Sequence, residues 1–181
     1  MRIPRLLPFI LSVAIFAASS PCWAGTDSWT PLGPTGGYVQ SLAFDSTNPS
    51  TSYAGFQFGG VYRTTNGGNS WIVTLADTDI WEVYSLATHP TNSSIVFAGT
   101  DKSMYRSTNG GGSWSPNGPL GIKGIAFSLA TPSTMYVGGE QGVFKSTNDG
   151  ANWTLTAYNT QITDETALAV HPVDTANLYE A

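Results

Sequence analysis

The sequence predicts an all-β protein, a β-propeller-type array of four-stranded antiparallel blades. Three observations predict it. Only 10% of the 181 residues are charged while 12% are aromatic, with 20 glycines and 11 prolines. Low charge with many aromatics excludes disorder, and the chain lacks the Glu, Lys, Ala and Leu richness of long helices. Short alternating runs stand between Gly, Asn and Pro turns, as in antiparallel meanders. The whole pattern then recurs about every 40 residues, which is blade spacing.

Residues 1–24 precede the array. Arg2 and Arg5 open an apolar run from Leu6 to Ala18, and Cys22-Trp23-Ala24 supplies a small-x-Ala cleavage site. This reads as a secretory signal peptide, because the run is shorter than the roughly 20 residues a bilayer span needs. The expected location is secreted or periplasmic, with no stable membrane insertion after cleavage. The remainder, Gly25–Ala181, contains no cysteine. Disulfides, thiolate metal sites and cysteine nucleophiles are thereby excluded. Its cations are Arg63, Lys102, Arg106, Lys123 and Lys145, against all twelve carboxylates. Such a balance disfavours nucleic acid and anionic membrane surfaces as partners.

Ser41-Leu42-Ala43-Phe44 aligns with Ser85-Leu86-Ala87-Thr88, Gly124-Ile125-Ala126-Phe127 and Ala167-Leu168-Ala169-Val170. An aromatic follows each alanine by ten residues: Tyr53, Phe97, Tyr136 and Tyr179. Tyr62, Tyr105 and Phe144 form a third column, and Trp71, Trp114 and Trp153 a fourth. The alanines are 44, 39 and 43 residues apart. Each unit reads as four strands. In the second, Val83–Thr88 ends at His89-Pro90, and Ile95–Gly99 is an apolar strand. Ser103–Arg106 follows, and Trp114 opens a last strand that stops before Pro116. The expected blades are residues 38–75, 82–117 and 122–158, with a fourth beginning at 166–181.

The turn before each tryptophan reads Thr64-x-Asn66-x-Gly68-x-x-Trp71, Ser107-x-Asn109-x-Gly111-x-x-Trp114 and Ser146-x-Asn148-x-Gly150-x-x-Trp153. A hydroxyl and an amide can bond the turn's backbone, the glycine can take φ > 0, and the indole is expected to be buried beneath. This turn resembles the Asp-box, or BNR repeat, with Asn where the family usually has Asp. The resemblance implies a propeller like those of sialidases, secreted xyloglucanases, sortilin-type receptors and photosystem II assembly factor-like proteins. It also implies that the box is structural and remote from any active site.

Repeat columns separate scaffold from function. Arg63, Arg106 and Lys145 share one column, which leaves no arginine triad and disfavours sialidase activity. Asp45, His89, Ser128 and His171 share another, before Pro49, Pro90, Pro132 and Pro172, and read as turn residues rather than metal ligands. Asn148-Asp149-Gly150 lacks the alternating oxygens of a calcium loop. No metal and no cofactor are expected.

The non-repeating loops carry the binding candidates. Phe58, Asp101 and Glu140 lie between second and third strands. Asp77, Asp79, Trp81, Glu82, Tyr158, Asp164 and Glu165 lie between blades, on the same expected face. An acidic, aromatic-bearing face suits polysaccharide, and would also take an extracellular protein. The first reading is a secreted, non-catalytic recognition module. The alternatives are a xyloglucanase-like glycoside hydrolase or a fragment of one, and an assembly-factor-like propeller. Hydrolysis needs two carboxyls at roughly 5–9.5 Å. Asp79, Glu82, Asp101 and Glu140 are the candidates, and no motif selects a pair.

Trp29-Thr30-Pro31-Leu32 resembles a fourth strand without a preceding box. Ala167–Ala181 resembles two first strands. The expectation is a piece of a longer propeller or an open arc. Open blade edges would favour self-association.

Overall fold

A computed structural model describes residues 33–34, 37–157, 168–170 and 178–180, all within the unit Leu32–Ala181. The expected signal peptide, Trp29–Leu32, Tyr158, Asp164, Glu165 and His171 lie outside these residues.

The described residues form three four-stranded antiparallel sheets and one two-stranded sheet. The first contains β1 (Val39–Phe44), β2 (Ser52–Phe56), β3 (Gly60–Thr64) and β4 (Ile72–Leu75). The second contains β5 (Val83–Thr88), β6 (Val96–Thr100), β7 (Met104–Ser107) and β8 (Ser115–Pro116). The third contains β9 (Ile122–Phe127), β10 (Met135–Gly139), β11 (Gly142–Ser146) and β12 (Thr154–Ala157). β13 (Leu168–Val170) pairs with β14 (Leu178–Glu180). Each four-stranded sheet is a meander in sequence order, the architecture of propeller blades.

The chain folds this way because each second strand is buried on both faces. Every residue of β2, β6 and β10 is buried, so each sheet needs a neighbour on both sides. Tyr53, Val61, Leu75, Val83, Val96, Ala98 and Tyr105 fill one core between the first and second sheets. Phe97, Met104, Ile122, Met135 and Val137 fill the next, between the second and third. Each Val, Leu, Ile, Met or Phe side chain among them contributes roughly 1.5–3 kcal/mol when fully buried.

The three turns before the tryptophans share one hydrogen-bond scheme. Ser107 Oγ accepts the N–H groups of Gly111 at 2.8 Å and Asn109 at 3.3 Å, and donates to Asn109 Oδ1 at 2.9 Å. Thr64 and Ser146 do the same in their turns. Asn109 Oδ1 also accepts the Ser113 N–H, while its amide donates to Ser113 Oγ. Two consecutive left-handed residues close each loop: Gly67 and Gly68, Gly110 and Gly111, Asp149 and Gly150. Removing a buried hydroxyl that satisfies two N–H donors costs about 1–3 kcal/mol. Ser107→Ala should therefore lower the unfolding free energy by about that much, whereas Ser107→Thr, matching Thr64, should not. Chemical denaturation of both variants checks this, and equal midpoints for Ala and Thr would refute it.

The arginine column is a staple between blades. Arg63 Nη1 and Tyr53 Oη both donate to the Gly110 carbonyl, at 2.6 and 2.8 Å. Arg106 Nε donates to the Asp149 carbonyl at 2.9 Å. Each arginine thus grips the turn of the following blade. The histidine column closes its own turn. Buried His89 accepts the Thr91 N–H at Nδ1 and donates from Nε2 to Asp149 Oδ1, both at 3.2 Å. Asp45 and Ser128 accept the equivalent turn N–H groups.

Two expectations need correction. Trp71, Trp114 and Trp153 are half-buried, not buried. The indoles of Trp114 and Trp153 lie against the glycine of their own turn, with Cζ2 at 3.5 and 3.2 Å from a Cβ placed on Gly111 and Gly150, and each of the three tryptophans leads into β4, β8 or β12, the outermost strand of its sheet. The last strand of the second blade continues through Pro116, which pairs with Tyr105. An edge strand tolerates proline because no further strand needs its N–H.

Candidate functional site: the acidic loop face

The β2–β3 turn and the β4–β5 connection meet through backbone pairing. Gln57 bridges Glu82, and the Phe58 N–H donates to the Trp81 carbonyl at 2.6 Å. Phe58 sits at φ 57°, an unusual conformation for a bulky residue. Its ring is 71% exposed and lies 6.2 Å from the ring of Trp81, itself 60% exposed. Two large aromatics are therefore held side by side in water.

Carboxylates hold this pair in place. Asp101, in the β6–β7 turn, accepts the Trp81 and Glu82 N–H groups on Oδ1 at 3.0 and 3.2 Å. Glu82 accepts the Gln57 side-chain amide at 2.9 Å. Asp77 accepts the Asp79 N–H and the Tyr105 hydroxyl. Asp79 and Glu140 are exposed. Thus Phe58, Asp77, Asp79, Trp81, Glu82, Asp101 and Glu140 lie in the loops at one end of the sheets. Of the four candidate acids, Glu82 and Asp101 are engaged in holding the loops. Tyr158 and Asp164 are outside the described residues. Lys102 Nζ stands 3.7 Å from Asp101 Oδ2, so the face is less negative than its carboxylates alone imply. Among the described residues no group of three or more His, Cys, Asp or Glu is placed to hold a metal ion. Among the described residues there is no helix long and apolar enough to cross a membrane.

Sequence reasoning missed Tyr84 and Tyr105. The register slips at the start of each inner strand, between Val39 and Ser41, between Val83 and Ser85, and opposite Ile122 and Gly124. Gln40, Tyr84 and Lys123 are the extra residues, and such bulges re-aim side chains. Lys123 Nζ lies 5.8 Å over the Tyr84 ring. Burial first, then a hydrogen bond to Glu82 and the charges of Glu82, Asp101 and Glu140, push the Tyr84 phenol well above the ordinary 10.0. Tyr105 is raised by burial, by its bond to Asp77 and by Asp77, Asp101 and Asp79. Tyr84 stood outside the repeat columns, which was the available signal. Tyr105 stood inside one, and only the fold brings its hydroxyl to Asp77.

These shifts give an alkaline limit. Above pH 10.0 the unfolded chain loses phenolic protons that the folded chain retains. The unfolded state then binds fewer protons, so stability falls as pH rises toward the folded-state values. Melting temperatures across this range should fall, and less steeply in Tyr84→Phe. An unchanged alkaline slope in that variant would contradict the assignment.

A β-propeller fold with a loop-borne acidic and aromatic face defines the class of protein. No family model and no curated protein matches the chain. Solved structures do match it. An ancestral GH74 enzyme superposes with a TM-score of 0.70 at 25% identity, over 86% of this chain and 23% of that one. The GH74 xyloglucanase from Xanthomonas campestris gives a TM-score of 0.57 at 16% identity, over 80% of this chain and 26% of that one. YCF48 bound to D1 peptide gives 0.52 at 20% identity, over 67% and 42%. The chain spans about a quarter of the length of the GH74 enzymes it resembles.

Proposed function

We propose that this chain is a secreted, non-catalytic recognition module that binds polysaccharide through the acidic loop face. One observation carries the reading: Phe58 and Trp81 are exposed, adjacent and fixed by backbone hydrogen bonds. Sugar rings stack their C–H faces on such aromatics, and their hydroxyls donate to neighbouring carboxylates. Asp79 and Glu140 are the exposed acceptors for that role. The three serine/threonine–asparagine–glycine–tryptophan turns are taken as Asp-box turns. Asparagine serves where aspartate is usual because its Oδ1 accepts the bonds an aspartate would accept. Secretion follows the signal peptide reading of residues 1–24.

The likeness to an ancestral GH74 enzyme at 25% identity favours one second reading, a glycoside hydrolase or part of one. Against it, Glu82 and Asp101 are committed to loop contacts. Affinity electrophoresis against soluble plant and bacterial polysaccharides, with a reducing-end assay on the same mixtures, separates the two. Retardation without new reducing ends supports recognition. New reducing ends that disappear in Asp79→Asn or Glu82→Gln would establish the hydrolase. No retardation by any polysaccharide would overturn both.

A further inference from the structure

At the end of the sheets opposite the acidic loops, the described residues build the same blade interface twice, once closed and once open. Between the second and third sheets it is closed. The Asp149 side chain reaches His89 Nε2 at 3.2 Å, and Arg106 Nε donates to the Asp149 carbonyl. Ile95 and Phe97 of the same blade are buried and apolar. Between the first and second sheets four of these columns differ together. Asp45 stands for His89, Thr51 for Ile95, Tyr53 for Phe97 and Gly110 for Asp149. Matching backbone bonds fix the columns: Asp45 N–H to the Thr51 carbonyl as His89 N–H to Ile95, and Gly110 N–H to Ser94 as Asp149 N–H to Ser133. The outcome is an open polar cleft of about 250 Å³ lined by residues of the first two blades.

Two opposite charges line this cleft without pairing. Arg63 spends an Nη1 N–H on the Gly110 carbonyl, yet its Nε is buried with no partner, a costly arrangement for a guanidinium donor. Asp45 is 4% exposed. Its Oδ1 takes the Thr47 N–H, the Thr47 hydroxyl and the Asn48 N–H, which leaves Oδ2 unbonded. Among the described residues no ion pair joins Asp45 to Arg63. Burial raises the Tyr53 phenol, while the Arg63 charge pulls it down and the Asp45 charge pushes it up, so both charges reach the same wall.

We propose that this cleft binds a small zwitterion, a free amino acid, with its carboxylate on Arg63 and its ammonium on Asp45. Both contacts are charge-assisted hydrogen bonds, the strong kind. A simple anion meets repulsion from Asp45, and a simple cation meets it from Arg63. A sugar gains no stacking here, because the aromatic in the wall, Tyr53, is 1% exposed. The volume is below the roughly 300–1,000 Å³ of pockets for drug-sized ligands, which favours a ligand of few heavy atoms. The inference is independent of what the acidic loop face binds.

Isothermal titration calorimetry on the purified chain tests it. The probes are the proteinogenic amino acids, with β-alanine and γ-aminobutyrate for wider charge spacing, and acetate, methylammonium and glucose for single-charge and neutral chemistry. At least one zwitterion should bind, about tenfold or more tighter than acetate or methylammonium, the worth of one charge-assisted hydrogen bond. Asp45→Asn keeps an Oδ1 for the turn N–H groups, so the melting point should hold while the preference for the zwitterion over acetate disappears. Gly110→Asn fills the cleft. Its Cβ has room, the nearest atom being the Ser93 carbonyl oxygen at 3.5 Å, and Asn tolerates the left-handed φ of 65°. Zwitterion binding should be lost in this variant with the circular dichroism unchanged. No heat with any zwitterion, or acetate or glucose binding as tightly as the best of them, would overturn the proposal. So would undiminished zwitterion binding in Asp45→Asn or Gly110→Asn, because the ligand would then sit elsewhere.

Discussion

Gly99→Ala should be among the most destabilising single-methyl changes in this protein. A Cβ on Gly99 would collide with the Ile122 carbonyl oxygen and with Ser85 Oγ, and would lie 2.8 Å from Ile122 Cγ2. The first of these is backbone of the next sheet and cannot rotate away. Gly55 holds the same column, and a Cβ there would lie 2.6 Å from Val83 Cγ1. These glycines set how closely the inner strands of adjacent blades approach. Overpacking of this kind costs about 1–3 kcal/mol, and the rigid partner places Gly99→Ala at the upper end. For a chain of this size that corresponds to a fall of about 6–12 °C in melting temperature. Gly67→Ala provides the contrast. Gly67 has φ 68° and open space around its Cβ position, so only left-handed strain of about 1 kcal/mol applies. Asp149 already occupies that position in the third turn at φ 55°. Thermal unfolding of both variants is the measurement. A Gly99→Ala melting point equal to that of Gly67→Ala would show that the sheets can move apart.

Trp81→Ala should abolish most ligand binding and leave stability unchanged. Loss of a binding anchor of this kind costs about 2 kcal/mol or more, or about 30-fold in affinity. Trp81 lies outside the repeat columns, and its ring is exposed, so its removal opens no cavity. Trp153→Ala should behave in the opposite way. Trp153 is half-buried, packs against the core of the second and third sheets, and donates from Nε1 to Asn117 Oδ1 at 3.2 Å. Full burial would imply 3–5 kcal/mol; the half-buried indole implies about 2–3 kcal/mol, below the range for full burial. Titration with the polysaccharide identified by electrophoresis, together with melting curves, checks both. Equal melting losses for Trp81→Ala and Trp153→Ala would make Trp81 a packing residue and remove the proposed anchor.

Much of the fold was legible because it is written several times. A residue that recurs at Ala43, Ala87 and Ala126, or at Trp71, Trp114 and Trp153, reports a local constraint that each blade must satisfy by itself. Strand alternation, the hydroxyl-bearing turn and its left-handed glycine are all short-range matters, so the sequence carries them openly. Where the reading failed, the cause was non-local. The indoles are half-buried because their depth depends on what covers the blade edge, and Pro116 joins a strand because β8 lies at that edge.

The sequence by itself determined the blade count of the described array, the strand order within each blade and the residues that repeat. It also set apart Phe58, Trp81 and the acidic loops as departures from the repeat. Only the tertiary structure decided what those departures do together. Arg63 and Arg106 became staples because a neighbouring blade brings a turn carbonyl within reach. Asp101 became a latch for Trp81 because the β6–β7 turn folds against the preceding connection. Tyr84 and Lys123 meet because an extra residue in β5 and another in β9 interrupt the register. The repeat period encodes each blade, but hydrogen bonds and side-chain encounters between blades depend on the twist and spacing of stacked sheets. Those are properties of the assembled array, and no single copy of the repeat contains them.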